Sequence, residues 1–146
     1  MQLTIYTDYA LRVLIFLATK EEKSQISQIS SYYNISFNHL TKAVHHLSKL
    51  GYVKSQQGRG GGIELAMDPK DINIGKVLEA CEPSMAMVEC MGSDNKCVIT
   101  SACHLKTIMI KAKKAFLNEL RQHHLSDIIN HKNSEIKKFI EAGNIS

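Results

Sequence analysis

Apolar residues recur at helical spacing near the start of the chain. Tyr6, Tyr9, Ala10, Val13, Leu14 and Leu17 form one stripe and predict a helix from about Tyr6 to Lys20. A polar linker, residues 21–25, follows. Ser27 is placed to cap a short helix ending near Tyr33, and Ser36 a longer one ending at Leu50. Leu40, Ala43, Val44, Leu47 and Leu50 line the inner face of the second, and Gly51 is a natural stop. A short helix, a tight turn at residues 34–36 and a longer helix make a helix-turn-helix pattern. Two short strand-like runs, residues 52–57 and 63–65, then flank Gly58-Arg59-Gly60-Gly61-Gly62. That hairpin is the wing of a winged helix, and its glycines allow close approach to another surface.

The second half continues the helical pattern. Asn73 can cap a helix from Ile74 to Cys81, which Pro83 closes. From about Ser101, Leu105, Ile108, Met109, Ala112, Ala115, Phe116 and Leu120 form a stripe on a lysine-rich background. One exposed helix cannot bury such a stripe alone, so a symmetric homodimer through it is the economical expectation. A short helical return at residues 126–129 and a polar, mobile tail after His131 complete the pattern. The fold class is therefore mainly α with a small β-hairpin. It comprises a winged helix-turn-helix domain (1–80), a thiol-bearing loop (81–104), a dimerisation helix with its return (105–130) and the tail (131–146).

Charge changes the picture. No acidic residue lies between Glu22 and Glu64, whereas that window holds Lys23, Lys42, Lys49, Lys54 and Arg59. An acid-free stretch over helix, turn, helix and wing is the footprint of phosphate binding, which makes double-stranded operator DNA the expected partner. Ser36, Asn38, His39, Thr41, Lys42 and His45 are candidates for the major groove. Lys54, Arg59, Gly60 and Gly61 are candidates on the wing. No paired acid and base, phosphate loop or nucleophile motif suggests an enzyme. The most apolar run, residues 10–18, carries Arg12 and is well short of the roughly 20 residues of a membrane span. It also lacks the marks of a signal peptide, so a cytoplasmic protein is expected.

In that compartment clustered cysteines point to metal or redox chemistry rather than structural disulfides. Cys90, Cys97 and Cys103 are seven and six positions apart, which is neither a zinc knuckle nor a ferredoxin run. Three soft ligands suit zinc or an iron–sulfur cluster, and free thiols are the plain alternative. A fourth ligand has to come from elsewhere, with Glu89, Asp94, His104 and the remote Asp8 as candidates. Asp8 and Arg12, four apart on a helix, read at first as a surface ion pair. Cys81, inside a helical pattern, reads as a small buried hydrophobe.

Several motifs together resemble one family over residues 1 to about 130. They are Met1-Gln2-Leu3-Thr4 with Thr7-Asp8-Tyr9, the glycine-rich wing, Glu82-Pro83, and residues 97–106 with Cys97, Cys103 and Lys106. The chain resembles the winged-helix iron–sulfur repressors of bacteria, in particular their nitric-oxide-sensing members. The resemblance implies a homodimer with one cluster per subunit, 4Fe-4S or 2Fe-2S, on Cys90, Cys97 and Cys103. It also implies that Asp8 of the partner subunit is the fourth ligand, with Arg12 orienting it. A sister group that regulates iron–sulfur assembly uses a histidine three positions after the last cysteine. Lys106 stands there, which disfavours that scheme. The expected function is repression that nitric oxide relieves, and the rival is a zinc- or thiol-based redox regulator on the same fold.

Overall fold

The computed structural model describes residues 2–130 and 135–143. The first helix, α1 (Ile5–Lys20), is the centre of the molecule. The predicted stripe is buried at Ala10, Val13, Leu14 and Leu17, but Phe16, Ala18 and Thr19 are buried too. The helix is covered on several sides, which its apolar run makes favourable and a one-stripe reading does not anticipate. Thr4 caps it through its side chain, accepting from the Thr7 N–H.

The reading head packs on α1. It consists of α2 (Ile26–Tyr33) and α3 (Phe37–Lys49). Asn34 makes the turn between them with φ of 52°, a left-handed conformation that asparagine tolerates. The start of α2 differs from expectation. Gln25, not Ser27, is the cap residue, and its N–H donates to the Gln28 side chain at 2.7 Å. Ser36 does occupy the cap position of α3, without a side-chain cap bond. Leu40, Ala43, Val44 and Leu47 turn inward as the spacing predicts.

The wing is an antiparallel hairpin of β1 (Val53–Gln56) and β2 (Gly62–Leu65), with Lys54 opposite Glu64. Val53 and Ile63 are buried and Leu65, opposite Val53, packs partly buried on the core, as expected for a small hairpin with one face inward. Ser24 adds a bridge on the far side of β2, exchanging backbone hydrogen bonds with Ile63 at 2.9 and 2.8 Å.

Helix α4 (Ile74–Cys81) is capped by Asn73, whose side chain accepts from the Lys76 N–H at 3.1 Å. The thiol loop follows, with one 3-10 turn at Glu89–Met91. The long helix α5 spans Leu105–Leu120 and starts four residues later than predicted, because residues 98–102 form turns instead. The chain then bends back onto α4. The Ile74 N–H donates to the His123 carbonyl at 3.0 Å, and the Leu125 N–H to the Ile72 carbonyl at 2.9 Å. A side chain at Gly75 would clash with Arg121, so α4 meets this corner at backbone distance.

The chain after α5 holds the expected short helical return and corrects one expectation. Helix α6 (Leu125–Ile129) is the return, and it joins the main core through Leu125 and Ile129. The tail, expected to be mobile, instead forms a helix at Ile136–Ala142, α7, that packs on α1 and buries Ile140. Ile136 and Ile140, four apart, supply an apolar face that the surrounding lysines obscure in the sequence. The rest of the expected tail, residues 131–134 and 144–146, lies outside the described residues. No helix among the described residues is long and apolar enough to cross a membrane.

Candidate nucleic-acid interface and thiol loop

Helix α3 presents an outward arc. Ser36, Asn38, His39, Thr41, Lys42 and His45 are all exposed, as sequence reasoning requires. At about 100° per residue, Asn38, Thr41, Lys42 and His45 share one arc and His39 falls on its flank. There His39 stacks on Tyr9 of α1, with ring centroids 6.3 Å apart. The Thr41 hydroxyl donates to the Phe37 carbonyl at 2.8 Å, so its free capacity is as an acceptor.

The wing stands beside this arc. Between them is a groove of about 500 Å³ lined by Thr41, His45 and Ser48 on one side and by Gln56, Gly58 and Gly61 on the other. Arg59 and Gly60 sit exposed at the wing tip. Lys54 is less available than expected, because Glu64 lies opposite it in the hairpin and pairs with it at 3.5 Å. The acid-free window ends one residue too early to reveal that pair.

Helix α1 is pinned to both reading helices. The Tyr6 hydroxyl donates to the Lys42 carbonyl at 3.0 Å, and the Tyr6 ring meets His46 edge-on at 5.6 Å. Arg12 lies over the Tyr33 ring of α2 at 5.6 Å, and the Tyr33 hydroxyl donates to the Arg12 carbonyl at 3.3 Å. Burial pushes the Tyr33 phenol up to about 12; Tyr32 and Asp8 add to the shift, and Arg12 opposes it. Asp8 pairs with Arg12 at 2.9 Å, with both side chains nearly half exposed. Tyr6 and Tyr9 both link α1 to α3, Tyr6 through its hydroxyl and ring edge and Tyr9 through its ring face, and their place in the apolar stripe masks these contacts in the sequence.

The thiol loop is held by its own short-range bonds. Glu89 accepts from the Lys96 N–H at 2.7 Å, Asn95 accepts from the Cys97 N–H at 3.0 Å, and the Thr100 hydroxyl donates to the Cys97 carbonyl at 2.7 Å. All four cysteines are free: Cys97 is exposed, Cys90 and Cys103 are partly exposed, and Cys81 is buried. Burial, and secondarily the Glu82 charge, pushes the Cys81 thiol up to about 11, in keeping with its expected role as a core residue.

Among the described residues no three His, Cys, Asp or Glu side chains converge as a metal-holding group. One chain therefore does not bring Cys90, Cys97, Cys103 and Asp8 together. The loop bonds are local, and the Asp8 carboxylate is turned to Arg12. The donor set still fits an iron–sulfur cluster. It offers three free thiols, none deeply buried, on a loop outside the rigid core.

Known proteins with the same organisation are regulators. The model of the Rrf2 family, described as iron-dependent transcriptional regulators, matches residues 3–131. The HTH-type transcriptional regulator NsrR of Bacillus subtilis is 48% identical over 140 residues, covering 94% of this chain and 96% of that protein. NsrR of Bacillus licheniformis is 49% identical over 132 residues, covering 88% and 92% respectively. Among solved structures, T. potens IscR superposes with a TM-score of 0.71 at 23% identity, covering 89% of this chain and 87% of that one. The oxidised form of Staphylococcus aureus CymR gives 0.74 at 20% identity, covering 92% and 100%, a likeness of fold. The chain belongs to the Rrf2 family, and it is a DNA-binding transcriptional regulator rather than an enzyme.

Proposed function

We propose that the protein is a homodimeric repressor that releases operator DNA when nitric oxide reaches an iron–sulfur cluster. Cys90, Cys97 and Cys103 would hold the cluster, with Asp8 of the partner subunit as the fourth ligand. Three thiolates and one carboxylate suit 4Fe-4S, with 2Fe-2S as the smaller alternative. Such a cluster would supply soft, thiolate-bound iron with one weakly held, carboxylate-bound corner open to nitric oxide.

One observation carries this reading: Asp8 lies on the same helix that holds the reading head. Tyr6 bonds α3 and Arg12 rests on Tyr33 of α2, each within about a turn of Asp8. Asp8 can serve either Arg12 or a ligand position. A change of partner at Asp8 would therefore bear on both reading helices through one rigid element. The exposed Leu105 and Ile108 of α5 support a second copy as the partner. Such a dimer suits operator half-sites about 34 Å apart.

The test is anaerobic isolation followed by mass spectrometry under non-denaturing conditions, which reads cluster content and dimer mass together. Operator affinity is then measured during nitric oxide titration for wild type and Asp8→Ala. The variant should keep a thiol-bound cluster but lose the coupling. If its affinity falls on nitric oxide addition just as in wild type, the Asp8 linkage is wrong. A colourless protein carrying stoichiometric zinc would replace this reading with the zinc-based regulator.

A further inference from the structure

We infer that Phe37 reads thymine methyl groups, giving the reading helix an apolar contact beside its polar ones. Phe37 is the first residue of α3 and is 50% exposed. The first residues of such a helix are the ones that reach base edges in a major groove. The other large apolar side chains within α3, Leu40, Val44 and Leu47, are at most 4% exposed. Phe37 is thus the one left facing outward on this helix.

Its surroundings say what it faces. By helical geometry Phe37 lies about 40° beyond Thr41, at the edge of the outward arc and close to the direction of buried Val44, and it is exposed because it stands at the open first turn of the helix. Residues 23–63 contain no acid, so α2, α3 and the wing tip carry no side-chain charge that repels a phosphate backbone. Among the described residues, the remaining large exposed apolar side chains lie off this arc: on α1, the thiol loop, α5, α7, and at Leu50 beyond the end of α3. The one apolar group on the major-groove edge of a base pair is the thymine C5 methyl. An aromatic ring that stays in water until DNA binds, then covers such a methyl, gains apolar burial that no other base offers.

The inference rests on the DNA-reading assignment, and one experiment separates the two. Full-length protein isolated anaerobically selects binding sequences from a random duplex pool. The enriched site is then remade with deoxyuridine in place of each thymine in turn, which removes only the methyl. Wild type should lose about fourfold in affinity per half-site at one or two positions, the worth of one buried methyl-sized group. Phe37→Ala should bind the thymine site more weakly and be indifferent to deoxyuridine there, and Phe37→Leu should recover part of the methyl dependence. Equal wild-type binding to thymine and deoxyuridine sites overturns the inference, as does an undiminished methyl dependence in Phe37→Ala. Failure to enrich any sequence would overturn the DNA-reading assignment itself, and the Phe37 role with it.

Discussion

Glu82 Oε1 accepts from both the Thr4 N–H at 2.7 Å and the Thr4 hydroxyl at 3.1 Å. Thr4 caps α1, and Glu82 stands where the thiol loop leaves α4. The root of the loop is therefore clipped to the helix that carries Asp8, within a single chain. Replacing Glu82 by Ala removes a charged acceptor from two donors and should cost about 1–2 kcal/mol of stability at this half-buried place. Denaturant unfolding reads that loss. An unchanged midpoint would show that solvent satisfies the α1 cap equally well.

Salt dependence separates the cations of the interface. Arg59→Ala and Lys42→Ala should each weaken DNA binding and flatten the plot of log affinity against log salt, by about 0.9 for each phosphate no longer neutralised. Lys54→Ala should do so less, because Glu64 already neutralises Lys54 in the free protein. Fluorescence anisotropy at several salt concentrations checks the order. Equal slopes for all three variants would contradict it.

Two neighbouring wing glycines should respond differently to alanine. A Cβ at Gly61 would sit 2.3 Å from the Gln56 carbonyl oxygen and 2.8 Å from that of Gly58, both backbone atoms. The hairpin must open to admit it, at a cost of about 1–3 kcal/mol, and DNA affinity should fall with the wing misplaced. At Gly60 nothing lies within 4 Å, and the cost is only that of a φ of 73° for an alanine, about 1–2 kcal/mol. Nuclear magnetic resonance of the wing amides would show Gly61→Ala disturbing residues across the hairpin and Gly60→Ala only its neighbours.

Alkaline pH should destabilise the fold through two weak acids, buried Cys81 and partly buried Tyr33. Cys81 is pushed from 9.0 to about 11 and Tyr33 from 10.0 to about 12. Both keep their protons longer in the folded chain than in the unfolded one. Their contribution is complete below pH 9 and is lost as pH rises from there to about 12, since unfolding then releases protons. Tyr33→Phe should reduce the slope above pH 10, and Cys81→Ala the slope between 9 and 11. In the chain free of metal, a thiol reagent at neutral pH should label Cys97 first and Cys81 last.

Much of the organisation is legible in the residues alone. The inward residues of α3, the Asn73 cap and the wing strands follow from short-range spacing and turn chemistry, which act within a few residues. What escapes such reading depends on distant neighbours. Gln25 displaces Ser27 as a cap residue while its side chain donates to the Gly61 carbonyl, a partner on the wing. The tail helix needs α1 as a surface on which to bury Ile140. Lys54 looks free in the sequence because its acid lies just past the charge window, and hairpin register brings the two together.

Residue type and spacing along the chain are enough to place the helices up to α6, the wing, the acid-free stretch over helix, turn, helix and wing, and the cluster of three cysteines, because each is a local property. That α1 is the hub emerges from the packing of the folded chain. Tyr6, Arg12 and Thr4 reach residues 36, 21 and 78 positions away. Pairings at such separations are set by how helices pack, and no period along the chain encodes them.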